Sequence, residues 1–346
     1  MNQSVIFAIA AAVLFGASTP LAKLLVGDVS PVLLGGLLYL GSGVGLGLFR
    51  MLRDKAWNPS GLQAGDWPWL LGAIFFGGVL GPVALMYGLT TVSGSAASLM
   101  LNLESVLTAV LAWVVFKENA DKRIVLGMLA IVVGGAVLSS QPGGAGSSSL
   151  VGLAAIAIAC LCWAIDNNLT RKVSASDAVF IASSKGLLAG LVNCAVALGM
   201  GASFPAVQTS LLAMTVGLLG YGIGLVFFVL ALRGLGTART GAYFSTSPFI
   251  GSAVSLLFLG ETATASFWLA SALMALGLWL HLTETHEHEH THEPLEHSHA
   301  HTHDEHHQHQ HNASLDLTEP HAHLHRHSSL THKHPHYPDI HHQHSH

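Results

Sequence analysis

Ten apolar runs of about twenty residues follow one another between residues 4 and 281, separated by short polar punctuation. A helix rises about 1.5 Å per residue, so such a run covers the roughly 30 Å hydrocarbon core of a bilayer. The pattern predicts spans over residues 4–26, 30–50, 67–88, 95–117, 122–139, 150–171, 178–199, 209–232, 240–260 and 263–281. Turn chemistry marks the connectors: Gly27-Asp28, Asn58-Pro59-Ser60-Gly61, Gln141-Pro142-Gly143-Gly144, and Gly201 to Pro205. The first run has no basic leader and reads as a span, not a cleaved signal. Trp57, Trp67 and Trp69 fit an interfacial aromatic belt. The fold class is an all-α polytopic membrane protein of ten transmembrane helices.

Polar residues interrupt this pattern at few places. The fourth run, SAASLMLNLESVLTAVLAWVVFKE, carries Glu104 in its middle, flanked by Asn102 and Ser105. A carboxylate at that depth costs about 2.5–3.5 kcal/mol on insertion scales, so it should face a protein interior or an aqueous cavity. The run GAYFSTSPFIGSAVSLLFLGE repeats this plan about 143 residues later, with Glu118 falling on Glu261. FGASTPLAK (15–23) aligns with WAIDNNLTR (163–171), placing Ser18 over Asp166 and Pro20 over Asn168. Two halves of five spans each must be inverted relative to one another, because five is odd. Inverted repeats recur in secondary transporters, with the site where the halves meet.

Composition agrees: 51% of residues are hydrophobic and 10% charged. Charge is unevenly placed. Residues 1–280 hold twelve Lys/Arg and nine Asp/Glu, net +3, while residues 281–346 hold two and ten, net −8, with all 24 histidines. Arg50, Arg53 and Lys55, then Lys117, Lys122 and Arg123, then Arg171 and Lys172, then Arg233 and Arg239 mark every even-numbered connector. The positive-inside rule puts both termini in the cytoplasm. Cys160, Cys162 and Cys194 lie in apolar runs and read as free core thiols.

These motifs bring a resemblance. FGASTPLAK, LESVLTAVLAWVVFKEN with RIVLGMLAIVVGGAVLS, and their counterparts TSPFIGSAVSLLFLGET and ASFWLASALMALGLWL resemble the drug/metabolite transporter superfamily, EamA type. The resemblance covers residues 4–281. It implies a first five-helix repeat over 1–140, a linker at 141–149, a second repeat over 150–281, and transport of small solutes across a plasma (inner) membrane by alternating access. It implies no particular solute. Relatives often carry an Arg in the second span; here LLGGLLYLGSG offers Tyr39, and Lys185 in the seventh span could take that role from the other half.

Candidate site residues follow from depth and polarity. Glu104 is either a proton-exchanging carboxyl or a structural one bonded to neighbouring helices through Asn102 or a hydroxyl. Asp166, Asn167 and Asn168 are costly inside a span unless they face a cavity. Asp166 and Lys185 stand at equal depth and so form an ion pair, or both snorkel to the interface. Lys23 binds an anionic solute or snorkels. Asn193, Tyr87, Tyr221, Tyr243, Ser245 and Trp163 line a cavity or serve packing. Glu118 and Glu261 read as helix-end residues. Gly41/Gly45, Gly186/Gly190 and Gly220/Gly224 have the spacing of close helix contacts.

The tail, residues 282–346, is too polar to build a core and is expected to be disordered. His286, His288, His290, His292, His297, His299, His301 and His303 alternate with acids and small polar residues. Imidazole suits Zn, Ni, Co and Cu, so these ions are expected partners of the tail. A pH-responsive tail and a merely solvated one are the alternatives.

No nucleophile–base set, P-loop or zinc-enzyme signature occurs in the body, so no enzyme activity, required cofactor or nucleic-acid partner is expected. The leading expectation is a transporter, in the direction of export, of a small organic solute, proton-coupled through Glu104. A Ni/Co/Zn transporter whose tail captures its cargo is the second, and a metal-sensing membrane protein the third.

Overall fold

A computed structural model describes residues 3–54, 60–116, 122–139, 149–173 and 176–282, and four short segments of the tail. Among the described residues, eight helices are long and apolar enough to cross a membrane: Gln3–Leu25, Pro31–Asp54, Ala64–Thr91, Gly94–Val115, Lys122–Ser139, Leu150–Thr170, Ala178–Gly199 and Val207–Ala231. Two shorter apolar helices, Ser247–Phe258 and Ala265–Leu280, complete ten segments in the expected order. They are numbered first to tenth below. These segments make the body of the chain a helical, polytopic membrane protein.

Two segments depart from the expected continuous spans. The fourth breaks at Leu101–Asn102, between helices Gly94–Met100 and Leu103–Phe116. Around the break the backbone shifts to three-residue bonds, Asn102 to Leu99, Glu104 to Leu101 and Ser105 to Asn102. In the second half, one helix runs from Gly224 through Phe244, so the expected eighth-to-ninth connector is helical. The chain then turns at Ser245–Thr246 before Ser247–Phe258. The two breaks lie about 143 residues apart, at equivalent places in the repeat. Polar side chains explain them. Asn102 Nδ2 bonds Leu99 O, Ser105 Oγ bonds Asn102 O, and Ser245 Oγ bonds Gly241 O. Such side-chain bonds offer the backbone an alternative to the helical ladder.

Contacts between segments follow a pseudo-twofold relation. The first packs on the eighth as the sixth packs on the third, and the first on the ninth as the sixth on the fourth. The second meets the seventh, the fourth meets the ninth, and the fifth meets the tenth, each pair mapping onto itself. In lipid, helix association depends on close packing and polar contacts, and small residues permit it. The second and seventh segments show this: methyls at Gly43 and Gly186 would collide with backbone across the interface, and one at Gly190 would lie 2.5 Å from Leu40 N. Leu33, Leu34, Leu37, Leu38, Leu85, Met86, Leu89 and Ile156 are fully buried around them. Gly27, at φ 112°, makes the turn joining the first two segments, in a conformation other residues rarely adopt.

The chain divides into a helical unit centred on Met1–Glu284 and a tail unit centred on Thr285–Pro338. In the tail, strands β1 (Glu287–His292) and β4 (Leu330–Pro335) pair antiparallel, as do β2 (Leu295–His301) and β3 (His321–His327).

Candidate functional site

The third segment holds the key to the site's geometry. Its sequence IFFGGVLGP ends in Pro82, which has no N–H to give. Over Ile74–Leu80 the helix widens to a π-helix, with Gly81 N–H bonding Phe76 O five residues back. In that register the donor missing at Pro82 is the one that would reach Gly77 O. Two side chains supply it: Tyr39 Oη at 2.8 Å and Trp163 Nε1 at 2.9 Å. Asn193 Nδ2 donates to Gly78 O at 3.1 Å. The second, sixth and seventh segments are thereby pinned to one turn of the third. A second π-helix, Leu218–Ile223, occupies the equivalent place in the eighth segment.

Against this turn lies the Asp166 carboxylate. Lys185 Nζ donates to Asp166 Oδ1 at 2.6 Å and Oδ2 at 2.7 Å. Thr170 Oγ1 donates to Asp166 Oδ1 at 2.7 Å, four residues along the same helix. Asp166 is 5% exposed and Lys185 7%. Burying two charges is tolerated only when each is well paired and hydrogen-bonded, which this arrangement provides. A methyl on Gly77 would run into the Asp166 carboxylate and its Cβ. Gly77→Ala is therefore expected to destabilise the protein by about 1–3 kcal/mol, an overpacking cost, and to displace the pair. Thermal unfolding in detergent, beside a transport assay, checks this; a variant equal to wild type in both contradicts it.

The next residue faces elsewhere, since successive helical positions point about 100° apart. Asn167 is exposed, and its Nδ2 donates to Glu104 Oε1 at 2.7 Å. Asp166 and Asn167 thus tie the seventh segment to the fourth. Glu104 stands in the first turn after the break at Leu101–Asn102. Burial changes there. Gly94 to Asn102 is buried throughout, whereas Leu103 to Leu111 is only partly buried apart from Val106. Glu104 sits where closed packing gives way to an accessible helix.

The end of the fourth segment nearest Gly94 is firmly tied. Glu261 accepts from Gly94 N–H at 2.7 Å and Ser95 N–H at 2.8 Å, capping that helix from the connector that follows the ninth segment. Ser252 Oγ reaches Ser95 O at 3.0 Å. Lys23 Nζ donates to Leu89 O and, at 2.9 Å, to Val92 O, capping the third segment from the first. At this end the first, third, fourth and ninth segments are joined. Three hydroxyls there, Ser98, Ser247 and Ser255, are buried without a partner.

Other candidates fall outside this cluster. Asn168 Nδ2 bonds Ala164 O of its own helix. Asn102 is buried against Met274, with its amide spent on Leu99 O. Tyr87, expected to line a cavity, is 52% exposed on the outer surface. Every face of a span is apolar, so the sequence does not say which way an aromatic turns. Tyr221 is buried, its ring 5.3 Å from Tyr39 and 5.7 Å from Phe15. Tyr39 and Trp163 prove to be anchors of the π-helix. Thr170 and Gly77, unnoticed in the sequence, complete the pair's surroundings; Pro82 inside an apolar run was the available signal. Arg50 and Arg53 both bond Asp177, at 3.1 and 3.0 Å, tying the second and seventh segments at the far end. Burial pushes the Asp177 carboxyl up, but the Arg53 bond, Val179 N–H and Arg50 together hold it below the usual carboxylate range. Glu118, His286 and His303 lie outside the described residues.

The sequence profile of the EamA-like transporter family matches residues 2–140 and again residues 150–283. An uncharacterized transporter of Methanothermobacter thermautotrophicus is 24% identical over 290 residues, covering 79% of this chain and 84% of that protein. A solved crystal structure, 18% identical, matches with a TM-score of 0.60 over 80% of this chain and 95% of that one. That likeness speaks for the fold alone.

Proposed function

This chain belongs to the EamA-like transporter family, and from that premise we propose that it moves a small organic solute by alternating access past Glu104, Asn167, Asp166 and Lys185. The observation that supports this is the buried Asp166–Lys185 pair, linked through Asn167 to a half-buried Glu104 at the meeting of the two repeats. A membrane span tolerates such groups where they serve a pathway. Lys185 and Asp166 offer opposite charges to a polar or zwitterionic solute. Glu104 accepts and releases the coupling proton. We take the direction to be export across a plasma-type membrane, and the basic connectors favour both termini on the cytoplasmic side.

In this arrangement the closed end is the one held by Lys23 and Glu261, and the accessible end is the one beyond Glu104. The bonds and the unpartnered hydroxyls oppose each other: a charge-assisted bond contributes about 1.5–3 kcal/mol, and a buried unmet hydroxyl costs about 1–3 kcal/mol. A small balance suits a protein that must open at either end. Lys23→Ala or Glu261→Gln is expected to shift the population toward opening by about tenfold or more. Cysteine labelling at Ser98→Cys should then become fast from the Lys23 side. Unchanged, slow labelling in both variants contradicts the latch.

The tail is read as a metal-binding module that modulates activity or stability. Nothing in the helical unit favours metal as cargo: among its described residues no three His, Cys, Asp or Glu side chains come together. Reconstituted full-length chain, assayed with a solute panel and with Zn or Ni ions, separates the two. Solute flux supports the proposal; metal flux without solute flux overturns it.

A further inference from the structure

We propose that the seam between the first, fourth and ninth segments holds a solute subsite, built from Gly16 O and Ser98 Oγ, that takes an ammonium or other N–H donor group. This deepens the transport reading above and rests on it. The first helix runs through Pro20, which has no N–H, so the carbonyl of Gly16 four residues earlier loses its helical donor. In the third segment two side chains make good such a loss at Gly77 O. Here the hydroxyl of Ser18, on the same turn, is spent on Phe15 O at 2.6 Å, and among the described residues no side chain donates to Gly16 O. The second repeat is the contrast. There Asn168 stands where Pro20 stands, keeps its N–H, and adds its own Nδ2 to Ala164 O at 2.8 Å.

Close packing brings a second unmet oxygen to this carbonyl. A Cβ on Gly251 would lie 2.6 Å from Gly16 O and 2.6 Å from Ser98 Oγ, so both oxygens converge on the bare side of one glycine. A Cβ on Gly16 would in turn lie 2.5 Å from Ser247 O. Ser98 is 1% exposed and its hydroxyl has no partner. Small residues explain how the three helices approach. They do not explain the hydroxyl, since Ala at position 98 would pack as closely without an unmet polar atom. A carbonyl and a hydroxyl oxygen side by side present lone pairs, and the group that satisfies both is a hydrogen donor. An ammonium makes the stronger, charge-assisted bonds. The subsite borders the surroundings of the charged pair. Phe15 packs edge-on against Trp163, ring centroids 6.2 Å apart, and Trp163 bonds Gly77 O beside Asp166. The seam is shut in this structure. It admits the donor group when the latch of Lys23 and Glu261 opens and the ninth segment moves off the first and fourth.

The test uses full-length protein in detergent and two ions of equal charge and similar size: n-propylammonium, which carries N–H donors, and tetramethylammonium, which has none. An ion that binds the folded state raises Tm with its concentration. Propylammonium should raise the wild-type Tm saturably, and tetramethylammonium should not. Ser98→Ala removes the hydroxyl, and Pro20→Ala restores a helical N–H to Gly16 O. Each should weaken propylammonium binding about tenfold, the loss of one charge-assisted bond, without lowering the Tm of the ion-free protein. Ser139→Ala, which loses a bond to Gly135 O in the fifth segment, should leave that affinity unchanged. Equal response to both ions, response to neither, or variants that bind as wild type overturn the subsite. So does a Ser98→Ala variant that loses stability and keeps affinity, which makes the hydroxyl a structural group. If Pro20→Ala fails to fold, Ser98→Ala decides alone. Solute flux in vesicles is read separately. Flux without discrimination between the ions overturns the subsite and leaves the transport reading. Discrimination without flux of any solute supports the subsite as a binding site and overturns the transport reading.

Discussion

Glu104→Gln is expected to reduce solute-coupled proton flux in reconstituted vesicles to the level of empty vesicles, with the protein still folded and inserted. Gln is nearly the same size and can keep a hydrogen bond with Asn167, which donates to Glu104 at 2.7 Å. What it cannot do is take up and release a proton. The effect should therefore fall on coupling more than on stability. Solute exchange at equal pH on both sides should survive better than uphill movement, and its residual rate should no longer vary with pH. Tm in detergent checks that the fold is kept. Full coupled activity in Glu104→Gln would remove the carboxyl from the mechanism.

The second large effect concerns Asp166 and Lys185. Asp166→Asn or Lys185→Met alone leaves one buried charge without its partner, at a cost of about 3–5 kcal/mol. Both groups are almost fully buried, so little water is at hand to compensate. The double variant removes both charges together and should recover most of the stability, since an apolar or neutral pair of similar volume is often no worse than a buried ion pair. Transport should not recover. Tm values for the two singles and the double form a cycle that isolates the pairing energy. A double variant that regains both stability and flux would make the pair a purely structural bond. Singles as stable as wild type would mean that the two charges are not paired in the folded protein.

Much of the architecture was legible because lipid imposes strict rules on sequence. Every backbone group must be satisfied within a span, so twenty apolar residues in a row can only be a helix. Repeated motifs such as the two span-end residues Glu118 and Glu261 carried the two-repeat organisation. Equal depth made a link between Asp166 and Lys185 one of two readings, the other being that both snorkel, and the bonds at 2.6 and 2.7 Å select the first. What remained hidden was the hydrogen-bond register. Hydropathy does not distinguish an α-helix from a π-helix, so the widened turn at Gly77 left no trace except Pro82. Nor does it show that Leu101–Asn102 breaks a span that is apolar on both sides of the break. Asn168 was misplaced for a related reason: three consecutive polar residues read as one site, although each points in its own direction. Lys23 belongs to the latch, where its length lets it cap carbonyls of another helix.

Access to position 167 tests the site most directly. In sealed vesicles carrying Asn167→Cys, with the buried cysteines Cys160, Cys162 and Cys194 replaced, a membrane-impermeant maleimide should label from the face bearing Arg50 and not from the face bearing Lys23. Adding Glu261→Gln should let reagent in from the second face as well. Position 167 unreactive from both faces, with and without Glu261→Gln, would contradict a solute path through Glu104 and Asp166.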